Sequence, residues 1–79
     1  TYRIQIEPHG FLSARPHMAG TEEYITVFSG RVEIITAEKT FQLGEGDSLR
    51  FFADAPHSYQ NIDSATAYLS MLIYYTKNQ

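Results

Sequence analysis

The apolar residues of this chain recur with a period of two, and that constrains the fold more than any other feature. Tyr2-Arg3-Ile4-Gln5-Ile6-Glu7 alternates apolar and polar side chains. Glu23-Tyr24-Ile25-Thr26-Val27-Phe28 is β-branched and aromatic. In an extended chain successive side chains point to opposite faces, so such runs are half-buried strands. Turn signals break the pattern at Pro8-His9-Gly10, Ser29-Gly30, Ala37-Glu38-Lys39, Gly44-Glu45-Gly46-Asp47, Ala53-Asp54-Ala55-Pro56 and Asn61 to Ser64. The runs between them predict strands over Tyr2–Glu7, Phe11–Ala14, Glu23–Phe28, Arg31–Thr36, Thr40–Leu43, Ser48–Phe52, His57–Gln60 and Ala65–Tyr75. Ser29-Gly30 reads as the tight turn of a hairpin joining Glu23–Phe28 to Arg31–Thr36. The stretch Ala67 to Tyr75 lacks a polar face and reads as a strand buried on both sides. No window carries a capped helical stripe.

Many short strands with evenly spaced turns make a sandwich or barrel, and one small barrel leaves no long edge exposed. At 79 residues and 9.0 kDa the chain is one domain spanning 1–79. Its core is small, so stability is marginal unless an ion, a ligand or a second copy adds to it. The absence of cysteine excludes a disulfide scaffold, an iron–sulfur centre and a thiol nucleophile, and fits a reducing cytoplasm. A net charge of −3 is not the basic footprint of a nucleic-acid-binding domain. No apolar run reaches the roughly 20 residues of a membrane span, so no membrane partner is expected.

Three side chains could carry chemistry together. Glu23 shares a strand face with Ile25 and Val27, so if that face is interior Glu23 points into the barrel mouth. His17 lies in the loop feeding this strand, and His57 opens another strand with Tyr59 and Asn61 on its side. If the two strands neighbour each other, His17, Glu23 and His57 converge. Two imidazoles and a carboxylate then form a facial triad for one divalent metal (zinc, manganese, iron or nickel) with open positions. Alternatively, His17 is a solvated or backbone-bonded loop histidine and Glu23 an exposed strand start. Asp47 and His9 read as turn residues. Tyr68, Tyr74 and Tyr75 read as core or interface, and Tyr24, Thr26 and Phe28 as an outer stripe suited to a dimer.

The residues from His17 to Gly30 resemble the first motif of the cupin family, with His17, Glu23 and Gly30 in its His, Glu and Gly places. Ala19 stands where that motif has a second histidine. Gly46, His57 and Asn61 resemble the Gly, His and Asn of the second motif, with Phe52 and Asp54 replacing its usual Pro and Gly. The runs Pro16–Glu23, Leu43–Phe51, Ala53–Asn61 and Ile73–Tyr75 are similar to the C-terminal cupin of bacterial helix-turn-helix regulators of the xenobiotic-response-element type.

This resemblance implies an all-β, small cupin (jelly-roll) barrel, the C-terminal part of a longer regulator. It implies a cytoplasmic, homodimeric sensor domain that binds a small-molecule effector in the barrel mouth near His17, Glu23, His57 and Tyr59. The metal, if held, would sit on His17, Glu23 and His57. No residue is assigned a catalytic role, and DNA would be met only through an N-terminal helix-turn-helix domain outside this chain. A free-standing metal-dependent isomerase or dioxygenase, and a ligand-free dimerisation module, are the alternatives.

Overall fold

The computed structural model describes residues 2–75. They form eight strands: β1 (Tyr2–Ile6), β2 (Phe11–Ala14), β3 (Glu22–Ser29), β4 (Val32–Ile35), β5 (Thr40–Leu43), β6 (Ser48–Phe52), β7 (His57–Asn61) and β8 (Ala67–Tyr74). No helix among them is long and apolar enough to cross a membrane. The strands build two antiparallel four-stranded sheets, ordered β1-β8-β3-β6 and β2-β7-β4-β5. This is the all-β jelly-roll arrangement expected: almost every connection crosses from one sheet to the other. Only β4 and β5, among consecutive described strands, pair with each other.

Alternation decides what is buried. In β3, Glu23, Ile25 and Val27 face inward and are sealed, while Tyr24 and Phe28 face out. Val32 and Ile34 of β4, Ala67 and Leu69 of β8, and Ile6 of β1 complete the centre of the core. Burying each of the Ile, Leu and Val side chains contributes about 1.5–3 kcal/mol.

Two expectations need correction. Ser29-Gly30 does not close a hairpin: β3 pairs with β6 and β8, and β4 with β5 and β7. The register of β3 slips between Val27 and Ser29, and Gly30, at φ +93°, carries the chain across to the other sheet. A Cβ at Gly30 would lie 2.9 Å from Ala67 Cα, so the glycine permits both the crossing and the contact. Nor is β8 buried on both sides. Ala67, Leu69 and Met71 face the core, whereas Tyr68, Leu72 and Tyr74 stand exposed on the sheet's outer face.

Two polar clamps fix the barrel end away from Glu23 and His57. Asp47 Oδ2 accepts from Gly44 N at 2.8 Å, and the turn is stitched to β3 by Val27 N to Asp47 O and Gly46 N to Val27 O. Asn61, fully buried, donates to Ile6 O at 2.9 Å and Ala65 O at 2.8 Å and accepts from Asp63 N at 2.8 Å.

Candidate metal and ligand site

Four sequence-selected residues meet at one end of the barrel: His17, Glu23, His57 and Tyr59. They do so across the barrel and not between neighbouring strands, because β3 and β7 belong to different sheets. β3 delivers Glu23, β7 delivers His57 and Tyr59 on one face, and the loop before β3 delivers His17. That loop is pinned at its base by His17 N to Ala53 O at 2.8 Å, Ala53 N to Thr21 O at 2.8 Å and Thr21 N to Met18 O at 3.0 Å. Gly20 N donates to Asp54 Oδ2 at 3.0 Å, which adds a side-chain tie.

Glu23 is the hub. Its side chain is 1 % exposed, where an unpartnered carboxylate is very costly. Its Oε2 lies 3.1 Å from His17 Nε2 and 3.1 Å from His57 Nε2, and its Oε1 accepts from the Tyr59 hydroxyl. Burial comes first among the causes that push the Tyr59 phenol far above its ordinary value, followed by the hydrogen bond to Glu23 and then the charge of Glu23. Tyr59 therefore stays a donor.

The partner of His57 Nδ1 fixes the remaining chemistry. That nitrogen lies 2.8 Å from Ala55 O, and a carbonyl only accepts, so Nδ1 carries the proton. In a neutral His57 the Nε2 lone pair then faces Glu23 Oε2, which is itself an acceptor. Two acceptors 3.1 Å apart require a positive charge between them. A proton on either group supplies it, and so does a metal ion. Metal–ligand bonds of about 2.0–2.2 Å place adjacent ligand atoms about 3 Å apart, which is the spacing from Glu23 to each histidine. The three ligand atoms of His17, Glu23 and His57 all lie within 4.8 Å of one another. The donor set, two imidazoles and a carboxylate, suits an octahedral divalent ion with open positions. These residues therefore fit such an ion. Ala19, in the place of a second histidine, offers no donor.

Two further rings bound the site that sequence reasoning did not place there. The Phe51 ring stands edge-on to His57 at 5.4 Å, because β6 pairs Phe51 with Glu23 across the sheet. Tyr75, expected in core or interface, sets its ring 6.2 Å from His17, also edge-on. A cavity of about 520 Å³ opens on the far side of Phe51, walled by Phe41 and Phe51 and rimmed by Lys39 and Asp54; His17, Glu23, His57 and Tyr59 do not line it. Its size suits a small organic molecule.

Comparison with known proteins gives a consistent picture. The Cupin_2 family, described as a cupin domain, matches residues 2–74. The HTH-type transcriptional regulator SutR of Escherichia coli strain K12 is 27 % identical over 77 residues, 98 % of this chain and 43 % of its own length. The Cupin_2 domain of an XRE family transcriptional regulator from Enterobacter cloacae superposes with a TM-score of 0.89 at 31 % identity, covering 95 % of this chain and 79 % of that one. An HTH_3 family transcriptional regulator from Vibrio cholerae gives 0.87 at 29 % identity, covering 95 % of this chain and 42 % of that one. The chain thus spans less than half the length of SutR and of the Vibrio regulator.

Proposed function

The chain belongs to the Cupin_2 family of cupin domains, and we propose that it is the effector-sensing domain of a cytoplasmic helix-turn-helix transcriptional regulator. Cupin domains of this kind occur in transcriptional regulators, as the similar proteins from Escherichia, Enterobacter and Vibrio are named. The observation that carries the sensing role is the sealed polar cluster around Glu23. A domain of 79 residues has little core, and a carboxylate, two imidazoles and a phenol occupy part of it where apolar side chains would stabilise the fold better. Such a cluster serves binding and not packing.

In this reading Tyr59 holds one oxygen of Glu23, which leaves the other to face His17 and His57. Ala55 O fixes the tautomer and ring plane of His57. His17, less buried than the other two, sits on the solvent side of the site, where an entering molecule meets it first. A divalent ion held by His17, Glu23 and His57 would offer its open positions to an oxygen or nitrogen of the effector. Binding would favour one arrangement of a homodimer, and so the DNA affinity of an N-terminal domain outside this chain. A coupling of about 1–3 kcal/mol is enough. The donor set alone would also serve an isomerase or dioxygenase. The named regulators among the similar proteins favour sensing.

The test is a thermal-shift screen of the domain against divalent metals and metabolites. A ligand of the native state raises the melting temperature by mass action, and the rise disappears in His57→Ala. A screen in which no compound shifts wild type more than His57→Ala rejects the sensing role.

A further inference from the structure

Along one side of the barrel the two sheets are not hydrogen-bonded to each other. β6 ends one sheet and β5 ends the other. Turn 44–47 joins these two strands at one end of the barrel. Toward the other end, next to turn 36–39, the cavity of about 520 Å³ opens between them. Phe41 lies opposite Ile34 and Phe51 opposite Glu23 in their sheets, so both rings turn to the interior, one from each sheet. Glu38, Lys39 and Asp54 stand at the rim. The turn that carries Lys39 is held by its own hydrogen bonds. Lys39 O accepts from Thr36 N at 2.8 Å and from Thr36 Oγ1 at 3.0 Å, and Lys39 N donates to Thr36 Oγ1 at 3.1 Å. Asp54 is held by Gly20 N, 3.0 Å from its Oδ2. Among the described residues Lys39 has no ion-pair partner.

We propose that this cavity is a second ligand site, and that it takes a small zwitterion with an apolar body: an α-amino acid with an apolar side chain. The walls select the apolar body, because it covers the two phenyl rings and releases the water over them. The rim selects both charges. It holds two carboxylates and one ammonium. A simple anion meets Lys39 but also two like charges, and a simple cation meets Lys39 itself. A ligand ammonium beside Asp54 or Glu38 and a ligand carboxylate beside Lys39 match every sign on the rim. The flexible stem of Lys39 lets its charge follow the carboxylate.

The cavity is separate from the metal ligands, since His17, Glu23, His57 and Tyr59 do not line it. Phe51 stands between the two. Its ring lines the cavity and also meets the His57 ring edge-on at 5.4 Å. An occupant therefore reaches the polar cluster only through that ring, and the sensing role proposed for the cluster does not depend on it.

Ligand titrations of the domain followed by nuclear magnetic resonance test the site. The probes are L-leucine, L-methionine and L-phenylalanine, each paired with its deaminated acid and its decarboxylated amine. At least one amino acid should bind at millimolar concentration or below. It should shift the ring signals of His57 and leave in place those of His9, in the turn between β1 and β2. Each one-charge counterpart should bind about tenfold or more weakly. Lys39→Ala, an exposed change that leaves the core untouched, should weaken amino-acid binding about tenfold or more with metal uptake unchanged. His17→Ala should bind the amino acid as wild type does. No response to any probe, a one-charge counterpart that binds as well as its amino acid, or binding that Lys39→Ala leaves intact overturns the assignment. Binding lost in His17→Ala and kept in Lys39→Ala also overturns it, by placing the ligand at the metal ligands. A domain that takes up metal but no amino acid lacks this site and keeps the sensing role. A domain that binds the amino acid, takes up no metal and responds to no other metabolite does the reverse.

Discussion

Tyr59→Phe removes one oxygen from the sealed end of the barrel, and its cost follows from what that oxygen does. The hydroxyl is a donor to Glu23 Oε1, and Glu23 is 1 % exposed. Water does not replace the lost partner. A hydrogen bond to a charged group contributes about 1.5–3 kcal/mol, and a buried carboxylate left short of a donor sits at the upper part of that range. We expect a loss of about 2 kcal/mol, a large share of the few kcal/mol a domain of this size possesses. The melting temperature should fall by about 10 °C.

The pH dependence gives a second, independent readout. The Tyr59 phenol is raised above its ordinary 10.0 in the folded state, so the folded chain keeps a proton that the unfolded chain releases first. The stability linked to that proton is complete below pH ~10 and is lost as pH rises beyond it. Urea unfolding followed by far-ultraviolet circular dichroism at pH 7 and in steps above pH 9.5 measures both effects. Wild type should lose stability steeply above pH ~10 and Tyr59→Phe less steeply. A variant within about 0.5 kcal/mol of wild type, with the same alkaline slope, would refute the reasoning that Glu23 depends on this phenol.

Three further outcomes follow from the same geometry. Metal uptake should release a proton, because an ion replaces the charge that His57 and Glu23 otherwise share; calorimetry in buffers of different ionisation enthalpy should give apparent heats that vary with the buffer, and equal heats would contradict a proton held between His57 and Glu23. Asn61→Ala should destabilise by about 2–4 kcal/mol, since Ile6 O, Ala65 O and Asp63 N lose a buried partner; denaturant melts measure it, and a loss under 1 kcal/mol would mean water fills the gap. Gly30→Ala should cost at least about 2 kcal/mol, from the left-handed backbone and the Ala67 contact together, whereas Gly46→Ala meets no neighbour within 4 Å and should cost less in the same melts.

The sequence made some of this legible and hid the rest for identifiable reasons. Alternation put Glu23 on one face with Ile25 and Val27, but the opposite face, with Tyr24 and Phe28, is apolar too, so which of the two is interior took the structure to decide. The same rule put Tyr59 and Asn61 beside His57. The convergence of β3 with β7 did not follow, since the two meet across the barrel and local pattern says nothing about facing sheets; the family resemblance supplied it. Ser29-Gly30 misled because a two-residue turn looks alike whether it closes a hairpin or crosses between sheets. The close approach of Gly30 to Ala67, nearly forty residues on, goes with the second outcome. Tyr68, Leu72 and Tyr74 misled because apolar identity does not reveal whether a face is covered within one chain. Phe51 was missed at the site because its place depends on the cross-strand register with Glu23. The Nδ1 partner of His57 depends on the shape of the turn before β7, which no residue type announces.

The central claim is that His17, Glu23 and His57 form a binding site and not a packed polar core. Native mass spectrometry after loading with manganese or zinc and desalting tests it most directly. A single ion per wild-type chain is expected, and none in a folded Glu23→Gln, His57→Ala double variant. Equal loading of the two proteins, or a wild type that takes up no ion at saturating metal, would contradict it.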